Sequence, residues 1–344
     1  MKRLLTGIAA AALLVGCAPS GQNNESSGNE GGGSETASGP KETVTFTLNW
    51  VPYGEHAPFY YGIQQGFYAD EGIDLKIEPG SGSGNTIKAV AQGQTMFGWA
   101  DTPPLLNSIA TGMPVKSVGV FLQKGPASIE FLAEKNIKSI KDLKGKTVGG
   151  TPGDAMYATF PALLAANDMQ PSDVTVVNMD PANKIAQLAQ GQVDAIMGFF
   201  HDQAPTIESK TGKEVDHILF ADSGLNLLGT GIVVSDETLS AKKDLVGKFV
   251  RATQKSWAEA VKNPEDAAKA MAELAENEPA EEVLVKQLTL AEPLLQLDTA
   301  GQPGVNTEEQ WQDTIDLLTQ YGNLEDAGKP ADYWDGSHAK AAGS

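Results

Sequence analysis

The sequence predicts an α/β protein of two similar lobes, joined by two crossings of the chain with a ligand cleft between them. The four residues AQGQ occur at 91–94 and again at 189–192, about 98 residues later. Each copy follows an apolar helix pattern and precedes an apolar run that suits a buried strand. Each is also preceded by a strand-like run, at 73–78 and at 174–179, with a helix-like stretch before it. The same order of elements, used twice, predicts two related lobes.

The first lobe begins with an alternating, β-branched run, TVTFTL, which is typical of a strand. Further along, the segment that starts at Asp101 carries prolines where we expect the first turn of a helix. The elements expected in this lobe are a strand at 43–48, a loop at 49–61 that runs into a helix at 58–71, a strand at 73–78, a Gly-rich loop at 79–85, a helix at 86–92 and a strand at 95–99.

In the second lobe the same order restarts. Asp180 is expected to be the N-cap of a helix that has Pro181 at its first position, where proline is favoured. The elements expected in this lobe are a strand at 146–149, a loop at 150–154, a helix at 155–167, a strand at 174–179 and a helix that leads to the second AQGQ.

Two crossings connect the lobes in this prediction. Strand-like runs at 115–123 and 129–133 lead out of the first lobe, and the run at 228–234 leads back to it. The second lobe is therefore inserted into the first, with predicted limits of 43–126 and 229–344 for the first lobe and 127–228 for the second. Amphipathic helices follow from residue 235, and the apolar residues expected in their core are Trp257, Leu274 and Leu284.

Composition excludes several classes of function. The chain has 44 acidic and 25 basic residues, a net charge of −19, and no basic stripe, which argues against nucleic-acid binding. Its four histidines show no pair at metal-ligand spacing, and Cys17 is the single cysteine, so we predict neither a metal site, nor a thiol catalyst, nor a disulfide.

The N-terminus predicts a lipoprotein. Residues 1–17 have a short basic start and an apolar stretch too short to span a bilayer, and they end in LVGC, which resembles a bacterial lipobox with Cys17 as the lipidated residue. An ordinary signal peptide with an incidental cysteine is the alternative. Residues 18–41 contain no Val, Ile, Leu, Met or aromatic residue and are expected to form a flexible tether. We therefore expect a globular body of about 300 residues, enough for two domains, anchored outside the cytoplasmic membrane.

Candidate site residues lie in the loops that follow strands, because open α/β sheets bind ligands at the carboxyl ends of their strands. These loops are rich in aromatic and small polar residues. From the first lobe the candidates are Asn49, Trp50, Tyr53, His56, Ser83, Trp99 and Asp101; from the second they are Thr151, Gly153, Asp154, Tyr157, Phe199 and Asp202.

The charge of these loops indicates the kind of ligand. They hold several carboxylates and no arginine, whereas a strongly anionic ligand is often bound by an arginine fork. The Gly-rich stretch GSGSGN lacks the lysine of a nucleotide-binding loop, although amides at a helix N-terminus could contact an anion. Aromatic faces with carboxylate acceptors suit a flat heterocycle that bears amino groups.

The segment LNWVPYGEHAPFYYGIQQGFYADEGIDLKIEPG resembles the opening of the thiamine-pyrimidine (NMT1/THI5-like) branch of the periplasmic-type substrate-binding proteins of ABC importers, an SsuA/THI5-like group. The segments DLKGKTVGG, AQGQVDAIMG and TGIVVSDETL resemble the broader group, and the likeness covers about residues 43–321. It implies a two-lobed, type II periplasmic-binding-protein fold. By position it implies binding roles for Trp50, Tyr53, His56, Ser83, Asn85, Asp101 and the loop from Gly153 to Tyr157.

The resemblance also implies partners and a ligand class. We expect a monomeric binding protein without cofactor that delivers its solute to an ABC permease and ATPase. The branch includes a fungal pyridoxal-phosphate enzyme with a lysine and a histidine after the third strand; these positions are Ala100 and Pro104 here, so an enzyme is not expected. A thiamine-precursor pyrimidine is the favoured ligand. The segment ADTPP differs from the thiamine-pyrimidine branch and resembles the sulfonate-binding members. An aliphatic or aryl sulfonate, or another small solute, is therefore the alternative. A non-transport sensor or adhesion lipoprotein is a more distant one.

Overall fold

The fold is that of a computed structural model, which describes residues 41–322, 324–325 and 327–339. The predicted signal peptide with Cys17, and tether residues 18–40, lie outside the described residues. The strands are β1 (Glu42–Thr47), β2 (Ile73–Glu78), β3 (Phe97–Asp101), β4 (Val115–Val120), β5 (Ala127–Leu132), β6 (Thr147–Gly150), β7 (Thr175–Asn178), β8 (Ala195–Phe199), β9 (Val215–Leu219) and β10 (Thr230–Ser235).

Helices follow most of the strands and make up much of the C-terminal third of the chain. They are α1 (Ala57–Gln64), α2 (Phe67–Asp70), α3 (Ser83–Ala91), α4 (Thr102–Ala110), α5 (Ala155–Ala166), α6 (Pro181–Ala189), α7 (Gln203–Thr211), α8 (Asp236–Ala241), α9 (Lys243–Ala260), α10 (Pro264–Leu274), α11 (Glu281–Ala291), α12 (Leu297–Ala300), α13 (Glu308–Tyr321) and α14 (Pro330–Tyr333). Within the described ranges, no helix combines the length and the apolar character needed to cross a membrane.

Two five-stranded sheets have the same topology. Their strand orders are β2-β1-β3-β10-β4 and β7-β6-β8-β5-β9. In each sheet three neighbouring strands are parallel. The next strand, β10 in the first sheet and β5 in the second, pairs antiparallel with the last of the three. Because β10 follows every strand of the second sheet, the chain leaves the first sheet and returns to it. The predicted fold class is confirmed. Each sheet with its helices is called a lobe below, and the exact limits of the lobes remain a prediction.

The two AQGQ segments form the same turn. Each joins a helix to a buried strand, α3 to β3 and α6 to β8. Gly93 and Gly191 have φ angles of 67° and 70°, a left-handed conformation that glycine adopts without steric cost. In both copies the side-chain amide of the second glutamine donates to that of the first at 3.1 Å. The repeated sequence therefore encodes a repeated helix C-terminus.

Helix α9 packs its apolar face on the first sheet. The rings of Phe97 and Phe249 stack at 4.2 Å between centroids, and Trp257 is fully buried beside them. Leu284, from α11, is fully buried as expected. The expectation for Leu274 is wrong: it is 50% exposed, because it is the last residue of α10 and projects beyond the core. The first sheet is thus covered by the helices that follow the return crossing.

Candidate ligand-binding site

A small cavity lies where loops of the two lobes meet. The first lobe contributes the loops after β1, β2 and β3, and the second those after β6 and β8 together with α6. This is the position expected from parallel strands, whose carboxyl ends share one edge of a sheet. The lining residues are Asn49, Trp50, Tyr53, Gly82, Ser83, Asp101, Asp154, Ala155, Met156, Lys184, Phe199, Asp202 and Gln203.

The structure brings most of the sequence-predicted residues together around this cavity. Those that line it are Asn49, Trp50, Tyr53, Ser83, Asp101, Asp154, Phe199 and Asp202. Those that do not are His56, Asn85, Trp99, Thr151, Gly153 and Tyr157. The second group nevertheless lies in or beside the same loops, and most of its members contact the lining residues or hold the loops in place.

The expectation that Trp99 faces the cleft is corrected by its position. Its side chain is fully buried in the first lobe, with its ring 5.0 Å from that of Phe59 and 5.7 Å from that of Trp257. Its indole nitrogen donates to Glu55 at 2.6 Å. Trp99 lies within β3 rather than in the loop after it, so it supports the site from the core and does not line it.

His56 acts on the cavity through Asn49. The backbone N–H of Tyr53 donates to Nδ1 of His56 at 3.3 Å, so Nε2 carries the proton and donates to Oδ1 of Asn49 at 2.8 Å. Burial lowers the pKa of the His56 ring to about 4, which keeps it neutral. With its oxygen held in this way, Asn49 turns its amide group toward Asp101.

Two other predicted residues, Asn85 and Tyr157, stabilise loops. Asn85 donates to the backbone and side-chain oxygens of Ser81 at 3.2 Å and 3.1 Å, closing the Gly-rich loop. The hydroxyl of Tyr157 donates to Asn178 at 2.9 Å. Thr151 is buried, and its hydroxyl has no hydrogen-bond partner among the described residues. The hydrogen bonds of Asn85 and Tyr157 favour a supporting role for these two residues over a direct contact.

Gly153 lies where the two lobes approach each other. A Cβ atom on Gly82, in the first lobe, would stand 3.0 Å from the carbonyl oxygen of Gly153. Gly82 also has a φ of 120°, which side chains other than glycine rarely adopt. The close backbone approach beside the cavity shows that the lobes meet at this point.

Lys184 is the cation of the cavity wall, and its ammonium group already has partners within the protein. Its side chain is 1% exposed, and its ammonium group donates to the carbonyl of Met197 at 2.9 Å and lies 3.5 Å from Oδ2 of Asp154. It also stands 5.7 Å from the centre of the Trp50 ring, within the range of a cation–π contact. Asp154 in turn caps α5 by accepting from the backbone N–H of Tyr157 at 2.6 Å.

The carboxyl groups around the cavity are hard to ionise. Burial raises the pKa of Asp101 to about 7 and that of Asp202 to about 6, and it also raises the pKa of Asp154. Asp101 accepts a hydrogen bond from the hydroxyl of Ser83, which only partly offsets the cost of burial. A raised pKa near neutrality lets a carboxyl group serve either as donor or as acceptor toward a ligand.

Glu55 lies beneath the cavity as a fully buried carboxylate with four hydrogen-bond donors. Its Oε1 accepts from the indole of Trp99 at 2.6 Å and from the hydroxyl of Thr230 at 2.7 Å. Its Oε2 accepts from the hydroxyl of Tyr53 at 2.6 Å and from Nε2 of His201 at 2.8 Å. Burial raises the pKa of Glu55, but its hydrogen bonds and the nearby histidines outweigh burial and bring it to about 2. Because His201 belongs to the second lobe, this network joins the lobes.

Sequence reasoning missed Lys184 and Gln203 as lining residues. Lys184 lies one turn into α6, on the helix after β7, whose loop received no candidates. Gln203 begins α7, directly after the predicted Asp202. Its amide oxygen has no hydrogen-bond partner among the described residues, and a Cβ atom on Gly198 would clash with it. Taking the first turn of every helix that follows a strand would have found both residues.

The chain matches the family model described as "NMT1/THI5 like" over residues 54–267. It is 31% identical over 232 residues to the riboflavin-binding protein RibY of Chloroflexus aurantiacus, and the match spans 66% of this chain and 64% of that protein. It is 24% identical over 291 residues to a formylaminopyrimidine-binding protein of Halalkalibacterium halodurans, spanning 83% and 87% of the two chains. A third relative, from Legionella pneumophila, is named 4-amino-5-hydroxymethyl-2-methylpyrimidine phosphate synthase, with 28% identity over 66% of this chain and 72% of that one.

The fold is similar to solved periplasmic binding proteins. The alkanesulfonate-binding protein SsuA from Xanthomonas axonopodis pv. citri superimposes with a TM-score of 0.65 at 17% identity, over 85% of this chain and 98% of that one. At this identity the likeness establishes the fold.

Proposed function

The chain belongs to the NMT1/THI5-like family, and we propose that it is an extracytoplasmic solute-binding protein of an ABC importer that captures a thiamine-precursor pyrimidine between its two lobes. The observation that carries the proposal is the composition of the cavity wall. Aromatic rings of Trp50, Tyr53 and Phe199 lie around the cavity, together with three carboxyl groups. An aromatic wall with a few convergent polar groups is typical of a small-molecule site.

The ring and the hydrogen-bonding groups of an aminopyrimidine complement the aromatic and polar groups of this wall. Its flat ring can stack on an aromatic face, and its amino and ring nitrogens offer neighbouring donors and acceptors. Asp101 can accept from the amino group and, with its pKa near neutrality, can donate to a ring nitrogen. Gln203 is a further polar residue of the wall. The names of the three relatives support the same chemistry, because each refers to a compound that contains a pyrimidine ring.

A sulfonate is the second candidate, supported by the fold of the alkanesulfonate-binding neighbour and by the presence of Lys184. The wall favours it less. The ammonium group of Lys184 is already engaged by Asp154 and by the Met197 carbonyl. An added anion would also stand near Asp101 and Asp202, whose ionisation it would oppose.

Binding is proposed rather than catalysis, although some relatives are named as synthases. The lysine that lines the cavity is fully buried and paired, so it is poorly placed to bond to a cofactor. Among the described residues, no group of three His, Cys, Asp or Glu could hold a metal ion. Fold alone would not separate the two roles; the composition of the wall is what supports binding.

Tryptophan variants test the proposed ligand. We expect 4-amino-5-hydroxymethyl-2-methylpyrimidine to quench tryptophan fluorescence, and Trp50→Ala to weaken its binding by about 1–3 kcal/mol, by analogy with base–aromatic stacking. Titration calorimetry gives the affinity, with taurine as the sulfonate probe. Trp334→Phe is the matched control, since Trp334 is also half-buried but stacks on Trp311 away from the cavity wall. Equal affinity in the wild type and Trp50→Ala would contradict the site, and binding of taurine alone would favour the second candidate.

The proposed location depends on Cys17. We expect the wild type to fractionate with membranes as a lipid-anchored monomer that docks on a permease with its ATPase, and Cys17→Ala to appear in the soluble or secreted fraction. The melting temperature of the released protein should match that of the wild-type body, because the predicted tether contains no residues that could join a core. Retention of Cys17→Ala in the membrane fraction would count against the anchor.

A further inference from the structure

Strands β5 and β8 border a small polar space beside Gln203, a residue of the cavity wall. Gly198, in β8, lies opposite Ser128, in β5, and Glu130 is two residues further along β5, on the same face of the sheet. A Cβ atom on Gly198 would overlap both a carboxyl oxygen of Glu130 and the amide oxygen of Gln203. The glycine therefore keeps this space open for two polar side chains.

Oxygen atoms converge in this space. Oγ of Ser128 lies 3.0 Å from the carbonyl oxygen of Gly198 and 3.2 Å from Oε1 of Glu130. A hydroxyl has one proton and a carbonyl can only accept, so the nearer Gly198 oxygen takes the proton of Ser128. Oε2 of Glu130 and the amide oxygen of Gln203 have no hydrogen-bond partner in the described part of the chain. Buried acceptors would thus face one another unless Glu130 itself carries a proton.

The surroundings of Glu130 favour its protonated form. Its side chain is fully buried. Burial and the neighbouring Asp202 raise the pKa of Glu130 well above its usual value, outweighing the opposite effects of Lys184 and Ser128. A neutral carboxyl group has an O–H that can donate a hydrogen bond, which an ionised one cannot.

We propose that Glu130, as a neutral acid, is a positioning residue of the ligand site: it donates to the amide oxygen of Gln203 and so leaves the amide nitrogen of Gln203 for the ligand. The oxygen of this amide points to Gly198, which does not line the cavity. Gln203 is then a fixed donor, and the ligand must present an acceptor to it, such as a ring nitrogen of a pyrimidine. The inference rests on the proposed function and adds a specificity element to it.

Substitutions at the two residues test this order of action. Glu130→Gln keeps a donor, and we expect it to bind 4-amino-5-hydroxymethyl-2-methylpyrimidine within about twofold of the wild type. Glu130→Met and Gln203→Met should each weaken binding about tenfold, the size of one hydrogen bond. Because Glu130 acts through Gln203, the double variant should bind within about twofold of Gln203→Met. Titration calorimetry gives these affinities.

A control variant and a spectroscopic measurement separate positioning from stability. Asp194 is a carboxylate of the same lobe that pairs with Lys135 and Thr147 and does not line the cavity, so Asp194→Ala should lose stability but keep its affinity. The infrared difference spectrum of the wild type minus Glu130→Gln, taken near neutral pH, should contain the C=O stretching band of a protonated carboxyl group. This measurement needs no ligand, and it tests the proton even if Glu130→Met folds poorly.

The outcomes separate this inference from the proposed function. A carboxylate band in the difference spectrum would overturn the inference, because an ionised Glu130 attracts the amide nitrogen of Gln203 and not its oxygen. Wild-type affinity in folded Glu130→Met, or additive losses in the double variant, would overturn it as well, since Glu130 would then not act through Gln203. Failure of the wild type to bind the pyrimidine would overturn the proposed function itself, whatever the infrared spectrum shows.

Discussion

Glu55→Ala is expected to lower the free energy of unfolding by about 3 kcal/mol or more, because each buried donor left without an acceptor costs about 1–3 kcal/mol. The substitution leaves four buried donors without an acceptor, from Tyr53, Trp99, Thr230 and His201. Buried donors without an acceptor destabilise the folded protein. Because these donors come from both lobes, both lobes are destabilised. Ligand binding should also be lost, because Tyr53 lines the cavity and is oriented by Glu55.

Chemical denaturation measures this effect, with Glu71→Ala as the control. Glu71 pairs with Arg251 at the surface, where a salt bridge contributes about 1 kcal/mol or less. The pKa of Glu55 falls from 4.5 to about 2 on folding, so its stabilising contribution is complete above about pH 4.5 and is lost as the pH falls toward 2. Glu55→Gln should show a flatter dependence over that window. A loss in Glu55→Ala no larger than that in Glu71→Ala would contradict the network.

Local patterns allowed the repeated architecture to be predicted. The turn at Gly93 and Gly191 needs a left-handed residue after an amphipathic helix and before an apolar strand, and all three signals lie within about ten residues of sequence. The same locality explains why the strand-to-helix loops were identified. Loops that follow strands carry the site in this class of fold, so many of the lining residues could be named in advance.

The orientation of Trp99 could not be read in the same way. All five residues of β3 are buried, so the strand shows no alternation of apolar and polar residues that would distinguish its two faces. A tryptophan near the end of such a strand is equally compatible with the core and with the cleft. Its hydrogen bond to Glu55 depends on tertiary packing, which the sequence does not display.

Long-range partners set a second limit on prediction. Gln287, from α11, accepts a hydrogen bond from the backbone of Gly54 at 2.8 Å and donates to the backbone and side chain of Asp202 at 2.8 Å and 3.1 Å. It thereby holds loops of both lobes, although it lies 233 residues from Gly54 and 85 from Asp202. A buried glutamine on an otherwise amphipathic helix is the only local sign of such a role, and that sign does not identify the partners.

Asp101→Ala and Asp154→Ala are each expected to weaken pyrimidine binding roughly 10- to 150-fold, equivalent to about 1.5–3 kcal/mol for a hydrogen bond to a charged group. The two residues belong to different lobes and line the same cavity. Comparable losses from both sides are what a site shared between lobes requires, since each lobe supplies only part of the contacts.

The same substitutions should affect the ligand-free protein differently. Asp154→Ala removes the cap of α5, worth about 1 kcal/mol, and leaves the buried Lys184 unpaired, so stability should fall by several kcal/mol. Lys184→Met in the Asp154→Ala background removes the unpaired charge and should recover part of the loss.

Asp101 accepts no hydrogen bond from its own helix N-terminus, and its pKa is raised. A carboxyl with a raised pKa contributes stability at low pH that is lost as the pH rises through about 7, so at pH 8 Asp101→Ala should lie within about 1 kcal/mol of the wild type.

Calorimetric titration and thermal melts with and without the pyrimidine separate these effects. In Asp101→Ala the melting temperature without ligand should be preserved, while its rise at a given ligand concentration should be much smaller, because the stabilisation depends on the ratio of ligand concentration to Kd. In the Asp154→Ala/Lys184→Met protein the recovered stability should come without recovered affinity, which shows that affinity is lost at the second-lobe part of the cavity wall and not through instability. Small-angle scattering of the wild type should show a smaller radius of gyration with ligand if the lobes close over it. Wild-type affinity in Asp101→Ala combined with lost affinity in the double variant would place the ligand on the second lobe alone, and a cleft shared by two lobes would then be wrong.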